Sequence, residues 1–174
     1  AKGTIIGDTN SFLDVHVLGA PNGAAIMIEG EGTDGTLIMG NQIGTDHGNN
    51  FLRPGEEIRE GIVIRNGPRA SWIGLPGGLM FDPDSFQPYR PFNVIGNATE
   101  AGIRIENAGG EHDGAGRLAG ANSLMNNRVG LGDSNEDAGN RVGIVFGPGS
   151  QRNILGGHRD TEANDITNNT HAGI

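Results

Sequence analysis

The residues best suited to chemistry in this chain sit between positions 72 and 92. Residues 76–91 read Pro-Gly-Gly-Leu-Met-Phe-Asp-Pro-Asp-Ser-Phe-Gln-Pro-Tyr-Arg-Pro, and with Trp72 and Phe92 they hold five of the eight aromatic residues. Trp72, Phe81, Phe86 and Tyr89 could stack on the apolar faces of a sugar, with Arg90 as hydrogen-bond donor and Asp82, Asp84 and Gln87 as acceptors. The same composition also suits a satellite apolar cluster that pins a long loop to the body of the fold.

A second candidate is a cation loop. Asp133, Asn135 and Asp137 place three oxygen ligands at alternate positions, a spacing that can wrap a hard cation such as Ca²⁺. The loop is not an EF-hand, because Gly139 falls one position late and Ile144 stands where a bidentate Glu is needed. A solvated acidic turn is the competing reading, and the segment Thr45-Asp46-His47-Gly48-Asn49 is a comparable loop. Glu111-His112-Asp113 and Gly157-His158-Arg159-Asp160 each set an imidazole beside carboxylates, which can serve as acid, base or metal ligand. Neighbours of this kind on Gly-rich loops are more often solvent-facing polar residues. His16, His47, His112, His158 and His171 have no metal-ligand spacing, so no catalytic residue is assigned.

Composition narrows the chemistry further. The absence of cysteine excludes disulfides, thiolate metal sites and cysteine nucleophiles. A net charge of −9 argues against nucleic acid as a partner. No apolar run approaches the length of a membrane span, so no membrane insertion is expected.

These candidates need a scaffold, and an internal repeat supplies its outline. Ala25-Ile26-Met27-Ile28, Gly61-Ile62-Val63-Ile64, Gly102-Ile103-Arg104-Ile105, Gly143-Ile144-Val145-Phe146 and Gly173-Ile174 recur at intervals of 36, 41, 41 and 30 residues. Each full unit alternates apolar positions, the period of a half-buried strand. Between units lie two more short strands closed by Gly or Asn: Ser71-Trp72-Ile73-Gly74 then Phe92–Asn97, and Arg152–Gly157 then Asn164–Asn169. Leu37–Ile43 bends at Gly40-Asn41, and Ser123–Leu131 bends at Asn126-Asn127. Gly is 32 of 174 residues, well above the ordinary share, which fits frequent sharp corners. Thr4–Gly7 and Val15–Gly19 read as a degenerate first unit. The expected fold class is all-β: a right-handed parallel β-helix of about five coils of three short strands, with asparagines stacked in ladders at the corners.

The motifs Asn41-Gln42-Ile43-Gly44-Thr45-Asp46, Phe92-Asn93-Val94-Ile95-Gly96-Asn97 and Arg152-Asn153-Ile154-Leu155-Gly156-Gly157 resemble the pectate-lyase-like parallel β-helix repeats of large secreted or surface proteins of bacteria and archaea. The resemblance covers about residues 22–174 and speaks to fold far more than to chemistry, since the motifs describe corners and core. It implies a structural or adhesive module at the cell surface or outside the cell, with polysaccharide or neighbouring subunits as partners. Polysaccharide lyases and hydrolases share the fold and give the enzymatic alternative. The paired-Asp and Gly-His-Gly signatures of the polygalacturonase-like relatives are absent here. Ile174 stands at the position of Ile26, Ile62, Ile103 and Ile144, so residues 1–174 are expected to be one segment of a longer chain or a subunit stacking end to end into a filament. Met27, Val63 and Val145 fall on the outward side of their strands, interrupted by Arg104, and form an apolar stripe that fits equally a lateral contact with another subunit or domain and cover by a long loop of the same chain.

Overall fold

The computed structural model describes residues 3–7, 16–18, 20–45, 57–75, 80–81, 88–89, 92–112, 114–131 and 138–174. Among them are eighteen short strands, one three-residue 3₁₀ turn and no α-helix. The first circuit of the chain runs β1 (Ile5–Ile6), β2 (His16–Leu18) and β3 (Ala24–Glu29), and the second runs β4 (Leu37–Ile38), β5 (Asn41–Ile43) and β6 (Ile58–Arg65). The third contains β7 (Trp72–Ile73), β8 (Met80–Phe81), β9 (Pro88–Tyr89), β10 (Asn93–Ile95) and β11 (Ala98–Glu106). The fourth contains β12 (Glu111–His112), β13 (Leu118–Ala119), β14 (Ser123–Leu124), β15 (Asn127–Val129) and β16 (Val142–Phe146). The chain ends with β17 (Ile154–Leu155), β18 (Asp165–Ile166) and a parallel bridge from Ala172 to Val142.

Three sheets collect these strands. Sheet A has the order β1-β4-β7-β14-β17, sheet B the order β18-β15-β10-β5-β2, and sheet C the order β16-β11-β6-β3. Every pairing within them is parallel, and the chain visits A, B and C in rotation. The register is that of the sequence repeat: Ile26 faces Ile62, Ile62 faces Ile103, and Ile103 faces Ile144. The two antiparallel pairs, β8–β9 and β12–β13, stand outside this rotation in the stretches 76–91 and 107–120. The sequence pattern marks those stretches only as loops, because such short hairpins carry too few residues for a periodic signal.

One apolar core runs between the three sheets. Ile38 and Ile73 from sheet A, Ile43, Ile95 and Val129 from sheet B, and Ile62, Ile64, Ile103 and Ile105 from sheet C belong to a single buried cluster. Burying each isoleucine is worth about 1.5–3 kcal/mol. Rows of β-branched side chains of one size fill so narrow a space, which is why aromatics are not needed inside.

The corners follow from local chemistry. Gly74 has φ +80°, and a Cβ there would run into the carbonyl oxygen of Met125 on the next circuit. Only glycine meets both conditions. At the corner between sheets A and B, Asn93 donates from Nδ2 to Oδ1 of Asn127 at 2.9 Å, and Asn127 donates to Oδ1 of Asn164 at 2.9 Å. Asn41 donates to Oδ1 of Asn93 at 3.0 Å, so four asparagines form one continuous column. A second pair, Asn140 and Asn169, is joined at 3.0 Å between sheets B and C. The ladders read from the sequence are therefore present.

The outward stripe on sheet C is only partly apolar in its exposure. Met27 is 47% exposed, but Val63 is 1% exposed. Arg104 is next to Val63 in register and reaches back to Glu60 on the same strand as Val63, so its aliphatic stem lies along the valine. Sheet A carries an outward row that the repeat pattern did not single out: Ile5, Leu37, Trp72, Ser123 and Ile154 stand in register.

Candidate functional site

Among the described residues, a dense cluster of charged groups lies on the outer face of sheet C. Outward positions of β3, β6 and β11 bring together residues from three circuits, roughly 36 to 44 residues apart in sequence but adjacent strand to strand. Arg104 is the centre. Its Nε donates to Oε1 of Glu60, its Nη1 lies 3.5 Å from Oε1 of Glu106, and its Nη2 lies 3.6 Å from Oε2 of Glu100. Glu100 in turn accepts from Nε of Arg59 at 2.9 Å. One strand further on, Glu29 accepts from Arg65 at 3.1 Å and from Nδ2 of Asn66 at 2.9 Å.

These groups line a groove of about 350 Å³ with Met27 and Val63 as its apolar floor. Three guanidinium groups (Arg59, Arg65, Arg104) and three carboxylates (Glu60, Glu100, Glu106) face it, so the groove is electrically balanced. The bond from Arg59 holds the Glu100 carboxyl below its ordinary range. Arg65 first, and then Asn66, does the same for Glu29. The partners respond in kind: Glu100 raises Arg59, and Glu29 raises Arg65. Both carboxylates are thus held ionised, as acceptors, rather than poised as general acids. The arrangement offers fixed donors and acceptors beside the exposed Met27, a surface suited to hydroxyl-rich chains.

The residues singled out in the sequence fall in several places. Trp72 is on β7 of sheet A, 37% exposed, between Leu37 and Ser123 in register. Phe81 and Tyr89 lie on β8 and β9, where register pairs Phe81 with Pro88 and Tyr89 with Met80. Phe86, Arg90, Asp82, Asp84 and Gln87 lie outside the described residues, as do Asp133, Asn135 and Asp137 of the cation loop. Among the described residues no three His, Asp or Glu side chains are grouped to hold a metal ion.

The two histidine motifs are tied into local structure. Nδ1 of His112 is 3.0 Å from the carbonyl oxygen of Gly116 across the β12–β13 turn, while Glu111 pairs with Arg69 at 2.7 Å. Glu162 accepts from the backbone N–H groups of His158 and Arg159 at 2.8 and 3.2 Å, which closes the loop onto the 3₁₀ turn Asp160–Glu162. Glu60, Glu100 and Arg104 had no signal in the sequence beyond their place in or beside the repeat unit. Aligning Glu60 with Ala101, as the register does, is the step that would have found them.

No protein-family model, curated protein or solved structure matches the chain.

Proposed function

We propose that this chain forms a right-handed parallel β-helix that serves as a stiff structural or adhesive module, holding polysaccharide against the outer face of sheet C. The observation that carries the reading is the groove around Arg104, whose charged groups are fixed by one another before any ligand arrives. Preorganised donors and acceptors lose little freedom on binding. Rows of such groups repeat from strand to strand, at a spacing of about 4.8 Å, which suits an extended polymer better than a compact metabolite. The rotation of the chain through three parallel sheets, with corner asparagines joined in columns, supports the solenoid reading and explains the stiffness. A place outside the cell or on its surface belongs to the same proposal, and rests on the resemblance of the repeat motifs.

Affinity electrophoresis through gels containing neutral and acidic polysaccharides, with Ca²⁺ and with EDTA, tests it. Retardation by an intact polymer, lost in Arg104→Ala and kept in Arg152→Ala, is the expected result. Unchanged migration in every gel overturns the binding reading and leaves a purely structural or filament-forming module. Shortened polymer in the gel replaces it with a lyase or hydrolase. Retardation that survives Arg104→Ala but is lost in Trp72→Ala moves the site to sheet A and the adjoining aromatic stretch. Loss of retardation in EDTA alone assigns it to the loop of Asp133, Asn135 and Asp137 with bound Ca²⁺.

A further inference from the structure

The groove on sheet C is more selective than its even count of charges suggests, because each of its cations is already engaged. Arg65 stands in register between Glu29 on β3 and Glu106 on β11, bonded to the first and attracted by the second. Arg59 is bonded to Glu100 and attracted by Glu60. Arg104 meets Glu60, Glu100 and Glu106 at once. Each guanidinium therefore has at least two carboxylates acting on it, and, counting Glu29, four carboxylates share three cations. Arg141 adds only a through-space pull on Glu100 and lies outside the lining of the groove.

At the centre this pairing is hard to exchange. The side chains of Glu60 and Arg104 are only 12% and 23% exposed. Drawing Arg104 off to serve an incoming anion would leave a largely buried carboxylate unpaired. At the more exposed Arg59 an added anion would have to stand beside Glu100, like charge against like. The net charge of −9 on the whole chain acts in the same direction at longer range.

We infer that this groove selects uncharged polysaccharides and rejects polyuronates. The inference rests on the polysaccharide reading proposed above and adds the class of polymer. A neutral sugar asks for no exchange of partners. Its hydroxyls donate to lone pairs that the carboxylates have to spare, and accept from guanidinium N–H groups that the ion pairs leave over. The network that fixes the groove thus stays whole when the ligand is bound.

The test is affinity electrophoresis of the full chain against three pairs of polymers: glucan and glucuronan, mannan and polymannuronate, galactan and polygalacturonate. In each pair the second polymer carries a carboxylate where the first has a hydroxymethyl group. At least one neutral polymer is expected to retard the protein, with an affinity at least about tenfold above that for its uronate counterpart. That neutral affinity should change by less than about twofold between about 20 and 500 mM salt. Glu100→Gln removes the carboxylate bonded to Arg59, and Glu106→Gln removes one of the two beside Arg65. Each should raise the affinity for the uronate polymer at least about fivefold. A uronate bound as tightly as its neutral counterpart, or a neutral affinity that falls about tenfold with salt, overturns the inference and leaves the polysaccharide reading standing. Uronate affinity unchanged in both variants overturns it as well, since the carboxylates would then not be what excludes the anion. No retardation by any of the six polymers overturns the polysaccharide reading itself, and this inference with it.

Discussion

Replacing Asn93 by Ala tests the asparagine column at its most buried member. Asn93 is 0% exposed and makes four hydrogen bonds: it donates to Ile38 at 2.9 Å and to Asn127 at 2.9 Å, and it accepts from the backbone and side chain of Asn41 at 3.2 and 3.0 Å. Removing the amide orphans the Asn41 backbone N–H and Oδ1 of Asn127 in a space that excludes water, while the Ile38 carbonyl keeps the N–H of Gly74 at 2.7 Å. Each orphaned group costs about 1–3 kcal/mol, discounted where the Asn41 side chain finds another partner, since it already reaches Ile6 and Met39. A total of about 3–5 kcal/mol follows, a large share of the 5–15 kcal/mol that holds an ordinary domain together. Asn164 ends the same column and is only part-buried, so Asn164→Ala should cost about 1 kcal/mol. Urea unfolding followed by circular dichroism reads both. A midpoint for Asn93→Ala equal to that of Asn164→Ala would refute the claim that the column acts through buried, mutually satisfied amides.

Three other perturbations discriminate between parts of the argument. Gly74→Ala must place a Cβ against the Met125 carbonyl at φ +80° and should cost more than about 3 kcal/mol, whereas Gly30→Ala, at φ +91° with open space around it, should cost only about 1–2 kcal/mol; equal losses in thermal unfolding would show that backbone strain alone decides. Glu29 and Glu100 have carboxyl groups lowered on folding, so their stabilisation is present above the unfolded-state value and fades as pH falls through the folded one; the acid limb of the melting midpoint should flatten in Glu29→Gln and Glu100→Gln, and an unchanged limb would remove their ion pairs from the argument. Arg104→Ala should raise the exposure of Val63 as well as release three carboxylates, detectable as faster amide hydrogen exchange along β6 and β11; protection equal to wild type would deny Arg104 that covering role.

Much of the fold was legible because its rules are local and repeated. Ile26, Ile62, Ile103 and Ile144 carry the period of a half-buried strand, and Gly40 and Asn126 sit where a left-handed corner is required. The charged groove was not legible, because Arg104 meets Glu60 only after one circuit is laid on the next, and sequence spacing does not say which residues align where loops vary in length. Val63 illustrates the same limit: alternation places it on the outer side, but its exposure depends on a long side chain from the neighbouring strand.

The parallel register has a mechanical consequence. In the proposed β-helix the hydrogen bonds of all three sheets point from one circuit to the next, so tension along the stack would pull on every inter-circuit contact of a rung together, while the covalent chain would lengthen only by unspooling a whole rung. Rungs marked by Ile26, Ile62, Ile103 and Ile144 contain 36, 41 and 41 residues. At about 3.5 Å per extended residue each release pays out roughly 130–140 Å of chain. Under load the molecule would therefore yield in quantised steps of nearly constant length, behaving as a ratcheted tether rather than a spring.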